Sequence, residues 1–417
     1  MSWKIAPLVV AATVLVGSAA VAQTLASPLT LATAQATAMS LNSELAASRR
    51  DAEAAEGAVV QAGARPNPTV GFDLEDTRSD RRTTTVAFSQ TIELGGKRSA
   101  RVEAAQQALQ IARVQIEGKQ IEIRANVTAA FFSALVAQDR VRLAEASLNV
   151  ARQGTDIAGK RVTAGKVSPL EETRARVAES GSRVELAQAR SDLQTALFQL
   201  QASMGAEAPV SQVDGDALSM PSLVTPDSVA VRVSTAPAVR EARLEVRRLG
   251  ALADLESAKR TPDVTMSLGT KRAAEVGRNQ LVLGISVPLP VFDTNRGNLM
   301  EALRRQNKAE DLLRFTEQRV RAEADIARQR QATAAAEVAA LGNEVLPNAQ
   351  LAFEAASKGY ELGKFGYLDV LDAQRTLQQA RAQYLRALAE AHRAATDIDR
   401  LLGSPDAIST ATREEQQ

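Results

Sequence analysis

The 417-residue sequence contains no cysteine, one histidine (His392), one tryptophan (Trp3) and thirteen aromatic side chains in all. Without cysteine there is no disulfide, no thiolate metal site, no thiol nucleophile and no lipid-modified N-terminal cysteine. A single histidine supports neither a histidine-built metal centre nor a Ser-His-Asp triad. An excess of one charge is missing too. Fifty Lys and Arg balance 49 Asp and Glu, so nothing recruits nucleic acid or an acidic substrate. Beyond the N-terminal segment, arginine or glutamate interrupts every apolar run, so any membrane crossing must use strands rather than helices. These absences argue against an enzyme, a bound cofactor and a metal site.

What is abundant is alanine: 78 residues, about 19 % of the chain. Alanine, leucine, glutamine, glutamate and arginine lose least on entering a helix, whereas thick cores need large side chains. The composition therefore predicts long, thin, closely packed helices. Residues 1–22, MSWKIAPLVVAATVLVGSAAVA, carry a positive start at Lys4, an apolar run of about a dozen residues and the small-x-small sequence Ala20-Val21-Ala22. That run is too short to span a bilayer, which takes roughly 20 residues. The pattern is that of a cleaved export signal.

Long proline-free tracts follow. Residues 100–163 alone would make on the order of 90 Å of helix. Further helical tracts are expected over 31–64, 169–204, 226–259, 297–359 and 367–403. In the last, Leu377, Tyr384, Ala391 and Ile398 recur every seven residues, as do Leu388, Ala395 and Leu402, a spacing that holds one stripe against a neighbouring helix. Four segments instead have period two: 67–76, 83–92, 263–270 and 279–287. Val70, Phe72 and Leu74 alternate with Thr69, Gly71 and Asp73, and Val264, Met266 and Leu268 alternate with Asp263, Thr265 and Ser267. These are two hairpins with polar tips. Strands of nine or ten residues with one apolar and one small polar face suit a transmembrane barrel, and a soluble two-hairpin sheet suits them equally. Four strands cannot close a barrel alone.

The chain is written twice. Gly165-Lys166 and Gly363-Lys364 lie 198 positions apart, and the same shift sets Leu170 on Leu368, Glu171 on Asp369 and Gly205 on Gly403. Two repeats are expected over 23–205 and 226–403, each reading helix, hairpin, long helix, tight tip turn near 165 or 363, helix. A Pro/Ser/Asp/Gly-rich linker at 206–225 joins them, and 404–417 forms a polar tail.

The stretch YELGKFGYLDVLDA, residues 360–373, resembles the periplasmic helix-turn-helix tip of the TolC-like outer-membrane factors, and RVTAGKVSPLEETRA is its first-half counterpart. SQTIELGGKRSAR at 89–101 is similar to the strand-to-helix junction of the heavy-metal branch, the outer-membrane components of cobalt-zinc-cadmium efflux systems. The resemblance implies a mainly α fold with a small β part. Three chains would form a twelve-stranded outer-membrane barrel continued by a helical periplasmic tunnel, working with a periplasmic adaptor and an inner-membrane RND pump as a passive exit for divalent metal cations. It further implies that Asp369 and Asp372 line the pore constriction, and that Tyr360, Glu171 and Lys364 link helices at the gate. Gly165, Lys166, Gly363, Phe365, Leu170 and Leu368 would form the tip turns and meet the adaptor. Phe365 stands where the family usually has an arginine, and only Phe72, Phe88 and Phe292 offer themselves as interfacial aromatics. From the residues alone a drug or protein duct, a structural periplasmic coiled coil and a pump adaptor stay open, although no lipoyl-like β segment suits the adaptor.

Overall fold

The computed structural model describes residues 28–76, 78–216 and 218–403. The expected export signal and polar tail lie outside them. In chain order the elements are α1 (Leu31–Leu41), α2 (Ser43–Ala62), β1 (Thr69–Glu75), β2 (Thr83–Ile92), α3 (Lys97–Thr163), α4 (Pro169–Met204), α5 (Pro226–Val233), α6 (Pro237–Ala258), β3 (Val264–Ala273), β4 (Asn279–Ser286), α7 (Arg296–Ala340), α8 (Leu346–Glu361) and α9 (Tyr367–Leu402).

Three tracts expected to be single helices are interrupted. The Asn42 side chain accepts hydrogen bonds from the Glu44 and Leu45 amides at 2.9 and 3.2 Å, so it caps a new helix inside residues 31–64. Pro237 starts α6 and forces Ala236 before it out of the helical region, dividing 226–259. Pro347 cannot donate to the carbonyl four residues back, and a π-helical turn at Leu341–Val345 takes up the mismatch between α7 and α8.

The four strands form one antiparallel sheet in the order β1-β2-β3-β4. Directly paired residues share a face, so the register can be read across the sheet. Val70–Phe88–Leu268–Leu283 is one row of the apolar face, and Thr69–Ser89–Ser267–Gly284 is one row of the small polar face. A Cβ built on Gly269, on the polar face, would fall 2.5 Å from the Val86 carbonyl oxygen and 3.0 Å from Ala87. Along β3 the polar-face residues Thr265, Ser267, Gly269 and Lys271 are half-buried while Met266, Leu268 and Thr270 are exposed, so the polar face is the concave one; the apolar residues Val70, Phe72, Leu268, Leu281, Leu283 and Ile285 stand exposed on the convex side. Lys97 and Asp263, 2.6 Å apart, brace the turn from sheet to helices, as do Arg101 and Glu93 at 2.8 Å.

The helices form a single curved layer. Near the sheet the order is α2, α3, α6, α7; farther away it is α4, α3, α9, α8. One flank thus carries β1, α2 and α4, and the opposite flank β4, α7 and α8. The two flanks make no substantial contact with each other. Both are apolar where they are open. Val177, Val184 and Phe198 stand exposed at seven-residue multiples along α4, and Leu312, Phe315, Ile326 and Leu351 along α7 and α8.

Residues 206–216 and 218–225 cross this layer as a strap fixed by side chains that read its backbone. Gln138 of α3 gives its amide N–H to the Val213 carbonyl at 3.3 Å and accepts from the Val213 amide at 3.4 Å. Gln331 of α7, fully buried, does the same for Ser222 and Val224 at 2.9 and 3.1 Å. His392 of α9 stacks on Phe132 at 3.6 Å between ring centroids, with Nε2 2.8 Å from the Ser219 carbonyl oxygen. Burial holds this imidazole below its ordinary 6.5, against an opposing pull from Ser219. As pH falls below 6.5 the unfolded chain takes up the proton first, so stability is highest above that pH and declines as pH drops toward the folded value. His392→Gln is expected to lose less thermal stability between pH 7 and pH 5 than the parent, in unfolding curves recorded across that range.

Candidate functional site

The end of the helical layer remote from the sheet is built by two related turns. At the close of α3, Gly165 takes φ +66°, its amide donates to Val162 and the Lys166 amide to Arg161, both at 2.9 Å. At the close of α8, Gly363 takes φ +73°, with its amide donating to Tyr360 at 2.9 Å and the Lys364 amide to Gly359 at 2.8 Å. Both are Schellman motifs, which satisfy the last carbonyls of a helix and require positive φ at the glycine. Each chain then re-enters a helix within three residues. Ser168 caps α4 through its side chain, with Pro169 at the first helical position. Gly366 precedes α9, where the Asp369 carboxylate accepts the Gly366 amide at 2.9 Å. Asp369 is therefore first a helix-capping residue.

The core of the tip is small and aromatic. Tyr360 and Tyr367, 5.5 Å between ring centroids, pack with Ala158, Ala175, Ala356, Val370 and Leu371. Burial, then the neighbouring Tyr360, raises the Tyr367 phenol to about 12. Gly154 leaves room for the Tyr367 hydroxyl, since a Cβ there would lie 2.9 Å from it. Phe365 folds over Gly359, where a Cβ would collide with its ring. Leu170 and Leu368, at matching places in the two halves, are 54 % and 57 % exposed, and Lys166 and Lys364 are exposed beside them.

Within one chain no hydrogen bond joins Tyr360 to Glu171. The Tyr360 hydroxyl and one Glu171 carboxylate oxygen are each buried without a hydrogen-bond partner. Arg161 holds the tyrosine instead: its guanidinium carbon lies 4.5 Å from the ring centroid, and its Nη1 donates to the Tyr360 carbonyl at 3.2 Å. Lys364 forms no ion pair among the described residues. Arg161 escaped the sequence reading because one more arginine near a helix end reads as a solvated charge.

Asp369 and Asp372 face a groove of about 1050 Å³ between α4 and α9, which they share with Arg174, Glu185 and Arg375. Arg174 comes from the other half of the chain, so only the fold reveals it.

Compared with known proteins, the chain matches the profile of the family described as "Outer membrane efflux protein" over residues 22–206 and 233–404. The chain belongs to this family. As an outer membrane efflux protein it is 42 % identical over 379 residues to the cobalt-zinc-cadmium resistance protein CzcC of Cupriavidus metallidurans, covering 91 % of each chain. It is 30 % identical over 299 residues to the nickel and cobalt resistance protein CnrC of the same species, covering 70 % of each. Among solved structures, CusC superposes with a TM-score of 0.76 at 19 % identity, over 90 % of this chain and 92 % of that one. A membrane protein from Pseudomonas aeruginosa superposes with a TM-score of 0.77 at 21 % identity, over 89 % and 93 %. These structures share the TolC-like fold: a small sheet continued by long helices.

In this efflux protein, then, the tip is the far end of the helical layer and Arg161 ties its two turns together. Replacing Arg161 by alanine removes a cation-π contact worth about 1 kcal/mol and a hydrogen bond of similar size. Faster amide exchange is expected across residues 360–366, read by hydrogen-exchange mass spectrometry, with exchange in the strap unchanged.

Proposed function

We propose that this chain is one third of the outer-membrane exit duct of a tripartite pump, through which divalent heavy-metal cations leave passively. The observation that carries the duct is the pair of open flanks. A four-stranded sheet with unpaired edges cannot sit in lipid, because each unsatisfied backbone group there costs several kcal/mol. Head-to-tail association buries β4, α7 and α8 of one copy against β1, α2 and α4 of the next, and such contacts close as rings. Three copies give twelve strands, with the convex apolar face in lipid and the concave polar face around water. The export signal carries the chain to the periplasm, and the helical layer extends there from the outer membrane.

The exposed Leu170, Leu368 and half-exposed Phe365, flanked by Lys166 and Lys364, suit docking of a periplasmic adaptor, which in turn joins an inner-membrane RND pump. Gly165 and Gly363 shape the turns that present them. Asp369 and Asp372 form the cation-selective constriction. The unsatisfied Tyr360 hydroxyl and Glu171 oxygen support a gate with a second arrangement, since two such atoms cost about 1–3 kcal/mol each. The metal cargo rests on the similarity to CzcC and CnrC, whose names specify cobalt, zinc, cadmium and nickel.

Growth of a deletion strain across zinc, cobalt, cadmium, copper and a cationic dye tests the proposal. Sensitivity to zinc, cobalt and cadmium, reversed by the intact gene, is the expected result. Sensitivity to the dye alone would assign the duct to drugs.

A further inference from the structure

The outer end of the sheet carries arginines that the duct itself does not use. Register and alternation place them. Arg272 of β3 pairs with Thr84 of β2, in the row that also holds Leu74 and Asn279, so it continues the convex apolar face beyond Met266, Leu268 and Thr270. Arg82 lies two residues before Thr84, hence on that same face by alternation, and its carbonyl accepts the Ala274 amide at 2.9 Å. Arg82, just before β2, and Arg272, within β3, are thus diagonal neighbours, a spacing at which side chains interact. Both are exposed, and neither forms an ion pair among the described residues.

The alternate position behaves differently. Lys271, next to Arg272, belongs to the concave face and is neutralised by Glu75 at 3.5 Å. On the convex side Arg82 and Arg272 form no such pair. Their height is specific as well. Arg272 lies eight residues beyond Val264, the first residue of β3. At about 3.4 Å per residue and the usual strand tilt that is roughly 20 Å of height, close to the thickness of a barrel's apolar band. The guanidinium groups therefore stand where the outer-leaflet headgroups begin. Guanidinium binds phosphate through two parallel N–H donors, which an ammonium cannot do.

We propose that Arg82 and Arg272 clamp a phosphate of the phosphorylated glycolipid that forms the outer leaflet. This rests on the barrel reading above. Each copy offers one such clamp on its lipid-facing surface, so the assembly holds a ring of bound glycolipid around its mouth.

The test uses the whole assembly extracted from outer membranes, stripped of lipid and followed by native mass spectrometry. The probes are bisphosphorylated lipid A, dephosphorylated lipid A and inorganic phosphate. Bisphosphorylated lipid A is expected to bind the parent at least tenfold more tightly than the dephosphorylated form, and Arg82→Gln/Arg272→Gln is expected to erase that preference. Arg82→Lys/Arg272→Lys, which keeps the charge and should assemble if the glutamine pair does not, is expected to lose part of it. Lys271→Gln is expected to leave it intact. Equal binding of the two lipid forms, or an unchanged preference in assembled Arg82 and Arg272 variants, would overturn the proposal. Displacement of lipid A by millimolar inorganic phosphate would identify a free-phosphate site and overturn it as well. Recovery of the parent as a soluble monomer would instead overturn the barrel reading beneath it.

Discussion

Replacement of Gly269 by valine is expected to cut the yield of assembled protein in the outer membrane more than tenfold. Even the first carbon of that side chain would stand 2.5 Å from the Val86 carbonyl oxygen and 3.0 Å from Ala87, and the obstacle is backbone rather than a movable side chain. The concave face at this point is the row Gly71–Ala87–Gly269–Val282. Gly71, Ala87 and Gly269 keep this row small over three of the four strands. Forcing a branched side chain into a filled space typically costs about 1–3 kcal/mol. Here the cost recurs in every copy around the ring, because the curvature must match for the edges to meet. The yield is read from heat-modifiable oligomer in outer-membrane fractions. Gly57→Ala, where a Cβ meets nothing within 4 Å, is the matched control and is expected to assemble normally. Normal assembly of Gly269→Val would mean that the concave face does not set the curvature.

The second large effect concerns permeation. Changing Asp369 and Asp372 together to asparagine is expected to lower the cation-over-anion preference of the reconstituted channel severalfold. Asparagine at 369 retains an oxygen for the Gly366 amide, so the start of α9 is preserved while the charge is removed. Arg174 shares the same groove and opposes those acids. Arg174→Gln is therefore expected to move the preference the other way. Reversal potentials in a salt gradient measure both. If the double aspartate change leaves the reversal potential where it was, the constriction lies elsewhere.

The strands were legible because a half-exposed barrel strand alternates residue by residue; β2 begins and ends where the pattern of Thr83 to Ile92 does. The tip glycines were legible because the same turn is written twice, and Gly165 and Gly363 both adopt the positive φ that reversal demands. The helix interruptions were harder to see. Alanine-rich sequence favours helix on both sides of Asn42 and of Pro347, so propensity ran through breaks that one capping side chain and one missing N–H create. The tip contacts were harder still. Arg161 reaches a tyrosine 199 positions away, and Gln138 and Gln331 look like ordinary solvated helix residues until the strap crosses them. Within one chain the Tyr360 hydroxyl and one Glu171 oxygen stay without hydrogen-bond partners, because shared residue types do not fix which donor reaches which acceptor.

The lumen, the constriction and the lipid face all depend on copies joining edge to edge through the open flanks. Native mass spectrometry of the protein gently extracted from outer membranes tests this most directly. A single species of three copies is expected. A stable single copy, with both flanks exposed to solvent, would contradict it.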